Sequence, residues 1–185
     1  GIKTVAPYAF YDNAVIQKIE LGNEINAVGD YAFANMVALR AFAFNSNQSN
    51  AVARIIGERV LDVNVALEEL TVYEDIDVVT LSSVKLSALK VLRVNNDGIL
   101  AEVEAGRYNE LDSVQELYIG AGYTAINENA FAEMDSLVSV SIGKDVVDIK
   151  KFAFSQDGSL TSVDFSANEV LINIEEGAFK DTALT

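Results

Sequence analysis

An apolar pattern recurs along the chain at a near-constant spacing. Val114, Leu117, Ile119, Ile126, Ala130 and Phe131 are answered 23 residues later by Leu137, Val140, Ile142, Ile149, Ala153 and Phe154. The same template fits Ile16, Ile19, Leu21, Ile25, Val28, Ala32 and Phe33, and begins again at Leu39. A fixed period in the twenties is the mark of a solenoid, in which each repeat is one supersecondary unit that cannot bury its apolar face alone. A single repeat buries too few side chains to offset the entropy of ordering its backbone, so stacking must supply the rest.

The template divides the 185 residues into the repeats of one continuous solenoid domain, 1–185. A partial first repeat, 2–15, precedes repeats at 16–38, 39–66, 67–88, 89–113, 114–136, 137–159 and 160–185. Each repeat opens on an apolar–polar alternation, as in Leu117-Tyr118-Ile119 and Val140-Ser141-Ile142. That period of two belongs to a strand with one buried face. Parallel strands are therefore predicted near 17–21, 40–44, 68–72, 90–94, 115–119, 138–142 and 161–165, in a right-handed solenoid with this sheet on its concave face. The inward residues are Ile19, Leu21, Phe42, Phe44, Leu70, Val72, Leu92, Val94, Leu117, Ile119, Val140, Ile142, Val163 and Phe165. The downstream spacing, Ile149 then Ala153-Phe154, predicts a short helical or 3₁₀ turn on the return side. Phe10, Phe33, Phe131, Phe154 and Phe179 are expected to stack in a buried row.

The middle repeats depart from the template. Asn45-Ser46-Asn47-Gln48-Ser49-Asn50 follows Phe42-Ala43-Phe44 and has the composition of an inserted loop. Ser83-Val84 and Arg107-Tyr108 stand where Ala-Phe is expected, and Asn95-Asn96-Asp97-Gly98 reads as a turn.

Composition narrows the function classes. The net charge is −15, from 28 acids and 13 bases. Nucleic acid and anionic membrane surfaces are poor partners for such a chain, since both are bound by cationic groups. Half the residues are hydrophobic, yet no apolar run approaches the roughly 18–20 residues a membrane span needs. With no Cys and no His, the usual zinc, copper and haem sites lose their main ligands and His- or Cys-dependent triads are excluded. No cofactor is implied. Gly1 is followed directly by repeat residues, without a signal-peptide pattern, and reads as a processed or engineered start.

The succession Leu, two residues, Ile, one residue, Ile, then Val, Ile-Gly and Ala-Phe resembles the BspA-like (Treponema pallidum type) leucine-rich repeats. Leu137 to Phe154 is similar to the consensus, and Val28-Gly29-Asp30-Tyr31-Ala32-Phe33 to its back turn. Many repeats of that family carry Pro after the strand, where this chain has Gly22, Gly120 and Gly143. Many carry Cys three residues beyond the Phe, where it has Met36 and Met134. The resemblance implies an extracellular or cell-surface protein of a host-associated microbe, acting in adhesion to host or bacterial proteins. It carries over no site residue.

A protein-binding or adhesion module, not an enzyme, is the function expected. The alternatives are a structural spacer or display array without its own ligand, and a calcium- or carbohydrate-binding module. The acidic run Glu68-Glu69, Glu74-Asp75 and Asp77 invites both glycosidase and calcium readings. Neighbours on a strand point to opposite faces, however, and no EF-hand-type loop occurs. Alternation sends the residues beside the core positions outward. The flanking repeats place small or charged groups there, as in Lys18-Glu20, Ala41-Ala43 and Ser139-Ser141. The central ones place Glu69, Thr71 and Tyr73, then Val91 and Arg93, then Glu116 and Tyr118. Tyr and Arg are frequent interface anchors, so Glu69, Tyr73, Val91, Arg93, Glu116 and Tyr118 form the candidate binding patch, beside the 45–50 insertion. The competing reading has Arg93 simply pairing with Glu69 or Glu116. The chain opens and closes part-way through repeats, which predicts a piece of a longer array or end-to-end self-association through the terminal strand 161–165.

Overall fold

The structure, a computed structural model, describes residues 1–44, 55–73, 86–96, 101–108 and 111–185. It divides into two compact units, Gly1–Leu89 and Lys90–Thr185, each wound as a parallel β-solenoid of the leucine-rich-repeat type. The 45–50 insertion, Glu74-Asp75, Asp77, Ser83-Val84 and Asp97-Gly98 lie outside the described residues.

In the first unit β1 (Thr4–Val5), β3 (Ala27–Val28) and β5 (Ile55–Ile56) form one parallel ladder; β2 (Lys18–Leu21), β4 (Ala41–Phe44) and β6 (Glu69–Tyr73) form another. Lys18 lies opposite Ala41 and Ala41 opposite Glu69, so the coils advance by 23 and then 28 residues, as the template requires. The second unit repeats the plan. Its first ladder is β7 (Val91–Asn95), β9 (Glu116–Ile119), β11 (Ser139–Ser141) and β13 (Ser162–Asp164). Its second is β8 (Ala101–Val103), β10 (Tyr123–Ile126), β12 (Asp148–Ile149) and β14 (Asn173–Ile174).

All seven expected strands are present. Alternation fills the core as expected: Leu21, Phe42, Phe44, Leu70, Val72, Leu92, Val94, Leu117, Ile119, Val140 and Ile142 are buried. Ile19, Val163 and Phe165 are only half-buried. They belong to β2, β13 and the turn after β13, and among the described residues these two strands have a neighbour on one side only.

Rings stack from coil to coil. Tyr108, Phe131, Phe154 and Phe179 follow one another at centroid spacings of 5.2, 5.4 and 5.2 Å, with their ring planes nearly parallel. Tyr108 thus holds the place of the missing Phe in its repeat. Phe10 stacks on Phe33 at 5.1 Å. The expectation of a fully buried row needs correction at its ends. Phe10 is 39% exposed and Phe179 half-buried, because a single ring covers each.

The return side also differs from expectation, since among the described residues there is no helix. Short strands are followed there by turns in which left-handed residues recur every fourth position: Tyr8 and Asp12, Tyr31 and Asn35, Arg59 and Val63, Asn129 and Glu133, Phe152 and Gln156, Gly177 and Asp181. A positive φ breaks helical winding each time it occurs. It also makes successive N–H groups alternate between two partners. Ala34 N–H donates to Tyr31 three residues back, whereas Phe33 and Asn35 donate to Val60 and Asp62 of the next coil. In the second unit Phe131, Glu133, Phe154 and Gln156 donate likewise to Ala153, Ser155, Ala178 and Lys180. A helix would satisfy these groups internally; here they join coils instead.

Candidate functional site

The outward face of the second unit's first ladder carries two rows set by strand register. One is Val91, Glu116, Ser139 and Ser162; the other is Arg93, Tyr118, Ser141 and Asp164. Their side chains point outward because Leu92, Leu117, Val140 and Val163 between them point inward. Adjacent strands lie about 4.8 Å apart, so Arg93 and Tyr118 are held side by side. The Arg93 guanidinium sits 4.4 Å from the centre of the Tyr118 ring, a cation–π contact. The Tyr118 hydroxyl donates to Glu116 at 2.9 Å. A cation, a ring and a carboxylate are therefore fixed in one cluster, with Val91 opposite Glu116 as its apolar margin. Arg93 and Tyr118 are half-buried, so their order costs little further entropy on binding, and Glu116 is exposed.

Glu69 and Tyr73 belong to the first unit, on β6 with Thr71. Glu69 is exposed and lies opposite Ala41. Glu68, on the other side of the alternation, meets Arg40 at 3.0 Å. The outward face of β2 is occupied by a Lys18–Glu20 ion pair at 2.6 Å. Hydrogen bonding and charge from Glu20 hold the Lys18 ammonium above its usual range, with a further push from Glu69. This face is polar, with small residues at Ala41 and Ala43 between the charges.

Three features escaped the sequence reading. Tyr8 stacks on Tyr31 at 5.2 Å with rings nearly parallel, Tyr11 meets Tyr8 edge-on, and Arg59 donates to the Tyr31 hydroxyl at 3.2 Å. These residues form an aromatic strip on the return side of the first unit, with Tyr8, Tyr11 and Arg59 exposed and Tyr31 half-buried. Their signal was present: Tyr8, Tyr31 and Arg59 each stand two residues before the core Phe or Leu of their coil. Buried Asn64 and Asp157 were also missed, although each lies three residues beyond a core position, at Leu61 and Phe154. Among the described residues no group of three or more acidic side chains is placed to hold a metal ion. No helix there is long and apolar enough to cross a membrane.

A parallel solenoid that displays ordered side chains on a ladder of short strands defines a leucine-rich-repeat protein. The family model described as BspA type leucine rich repeat region (6 copies) matches residues 1–103 and 96–185, and the chain belongs to that family. A leucine-rich repeat protein from Eubacterium ventriosum ATCC 27560 is similar in structure, with 22% identity and a TM-score of 0.55 over 100% of this chain and 41% of that one. One from Bacteroides ovatus ATCC 8483 has 22% identity and a TM-score of 0.55 over 97% of this chain and 44% of that one. TLR13, solved in complex with ssRNA13, matches at 12% identity and a TM-score of 0.51 over 94% of this chain and 29% of that one. At such identities the likeness is one of fold. The chain spans under half the length of these structures. No curated protein matches it.

Proposed function

We propose that the chain is a protein-binding module of a bacterial surface protein, and that a polypeptide ligand docks on the outward face of β7 and β9. The observation that carries this reading is the Arg93–Tyr118 stack, with Glu116 held by the Tyr118 hydroxyl. Stacked Arg and Tyr offer large area, a planar donor fork and a fixed orientation, the properties of interface anchors. Glu69 and Tyr73 on the first unit are further contact candidates. Membership of the BspA-type family supports an extracellular, adhesive role without catalysis. The net charge of −15 favours basic ligand segments and argues against nucleic acid, even though the TLR13 structure holds RNA.

The reading is tested by selecting peptides from a random display library on the immobilised protein. Enriched peptides are expected to carry Lys or Arg. Each of Arg93→Ala and Tyr118→Ala should weaken their binding by more than about 1 kcal/mol, with the circular dichroism spectrum unchanged. Peptides that bind the double variant as well as the parent protein would exclude this face as the site.

A further inference from the structure

Two coils bury a polar side chain at the same place, three residues past the core ring position. In the first unit Asn64 solves the local hydrogen-bonding problem completely. Its Oδ1 accepts from Met36 N–H at 2.8 Å and its Nδ2 donates to the Phe33 carbonyl at 2.9 Å, both on the preceding coil. Phe33 and Met36 are themselves a core ring and the residue three beyond it. In the second unit the equivalent groups of the preceding coil are the Phe131 carbonyl and Met134 N–H, and the side chain offered to them is Asp157. Its Oδ1 accepts from Met134 N–H at 2.9 Å, repeating the first bond. Its Oδ2 is fully buried and has no hydrogen-bond partner. A carboxylate cannot make the second bond, because two acceptors would face each other.

We propose that Asp157 is carried in the folded protein as a neutral carboxylic acid whose Oδ2–H donates to the Phe131 carbonyl, making this unit a fold stabilised by acid and loosened as the pH rises toward neutrality. The protonated acid then reproduces the donor–acceptor pair that Asn64 supplies. The surroundings favour this state. Burial pushes the Asp157 carboxyl up to about 7; the Met134 N–H opposes the shift and the negative charge of Asp135 adds to it. Glu133 and Asp135 on the preceding coil are exposed. On the following coil Lys180 and Asp181 are exposed too, and they face each other at 3.9 Å.

The sign follows from linkage. A carboxyl whose folded pKa lies above its unfolded one binds a proton in the folded state that the unfolded chain releases. Its stabilisation is fully present below the unfolded value near 3.8 and is lost as the pH rises to about 7. With no His and no Cys, few other side chains titrate between pH 5.5 and 7.5.

The test is urea unfolding of the whole protein at fixed ionic strength between pH 5.5 and 8.5, alongside Asp157→Asn. The folding constant of the parent should fall by close to tenfold per pH unit up to about 7 and then level. That of D157N should stay flat over the same window and exceed the parent's at pH 8. A parent whose stability is level or rises through this window, or a variant with the parent's slope, overturns the proposal. If D157N does not fold, carboxyl-carbon NMR of the parent decides the question. One aspartate should titrate near 7, and the absence of any aspartate titrating above about 5 refutes the neutral acid.

Discussion

Phe131 and Phe10 hold the same place in their coils but differ in what surrounds them. Phe131 is fully buried between Tyr108 and Phe154, at 5.2 and 5.4 Å. Phe10 rests on Phe33 alone and is 39% exposed. Truncating a buried ring removes its transfer energy and leaves a cavity, and here it also removes two stacking contacts worth about 0.5–1.5 kcal/mol each. Phe131→Ala should therefore cost about 3–5 kcal/mol in urea unfolding. Phe10→Ala should cost less than half of that, since water already reaches the ring. Equal losses would mean that the rings do not stack as described. The Phe column was legible because a large residue recurs at fixed spacing. The acid at Asp157 was not, because its meaning depends on which backbone groups of the neighbouring coil it faces, and only the register shows that Phe131 and Met134 are those groups.

At the scale of elements, the glycines after the strands separate two reasons for having no side chain. A Cβ on Gly143 would meet the carbonyl carbon of Gly120 at 2.8 Å, and the Gly120 and Ile119 carbonyl oxygens more closely still. Gly143 lets two coils approach backbone to backbone. Gly22 has nothing within 4 Å of where its Cβ would be, so a side chain fits. Gly143→Ala should destabilise by about 1–3 kcal/mol, as overpacking does, while Gly22→Ala stays within about 0.5 kcal/mol of the parent; thermal melts of the pair read the difference. Strand positions were readable because alternation identifies one buried face without any tertiary knowledge. The return side was misread for a physical reason. Ala-Phe at a four-residue offset suits a helix as well as a left-handed turn, and composition does not separate them when Tyr8, Arg59, Val63 and Phe152 occupy the positive-φ places usually given to glycine or asparagine. The aromatic strip of Tyr8 and Tyr31 went unseen for the same reason, since its exposure follows from that backbone.

Across the whole molecule the excess of acids gives the fold and the proposed function opposite responses to salt. The 28 acidic and 13 basic residues leave a net charge of −15. The ion pairs that offset it, such as Lys18–Glu20, Lys151–Glu176 and Lys180–Asp181, are largely exposed. Such exposed, solvent-screened pairs contribute little to stability, whereas the repulsion of unpaired carboxylates acts over the full surface. Raising sodium chloride from about 0.01 M to 0.15 M shortens the screening length from about 30 to 8 Å, which weakens this repulsion more than it weakens contacts at 3–4 Å. Stability should then increase by about 1 kcal/mol, a rise in Tm of roughly 2–4 °C for a protein of this size. A basic ligand on the face of Arg93, Tyr118 and Glu116 should respond the other way, because the field that draws it in is the one being screened. Melting temperature and peptide affinity measured on the same salt series would therefore move in opposite directions. If affinity instead held constant while the melting temperature rose, the ligand would be held by the Tyr118 ring and Val91 rather than by the acidic field. If the melting temperature fell, the exposed ion pairs would outweigh the net charge.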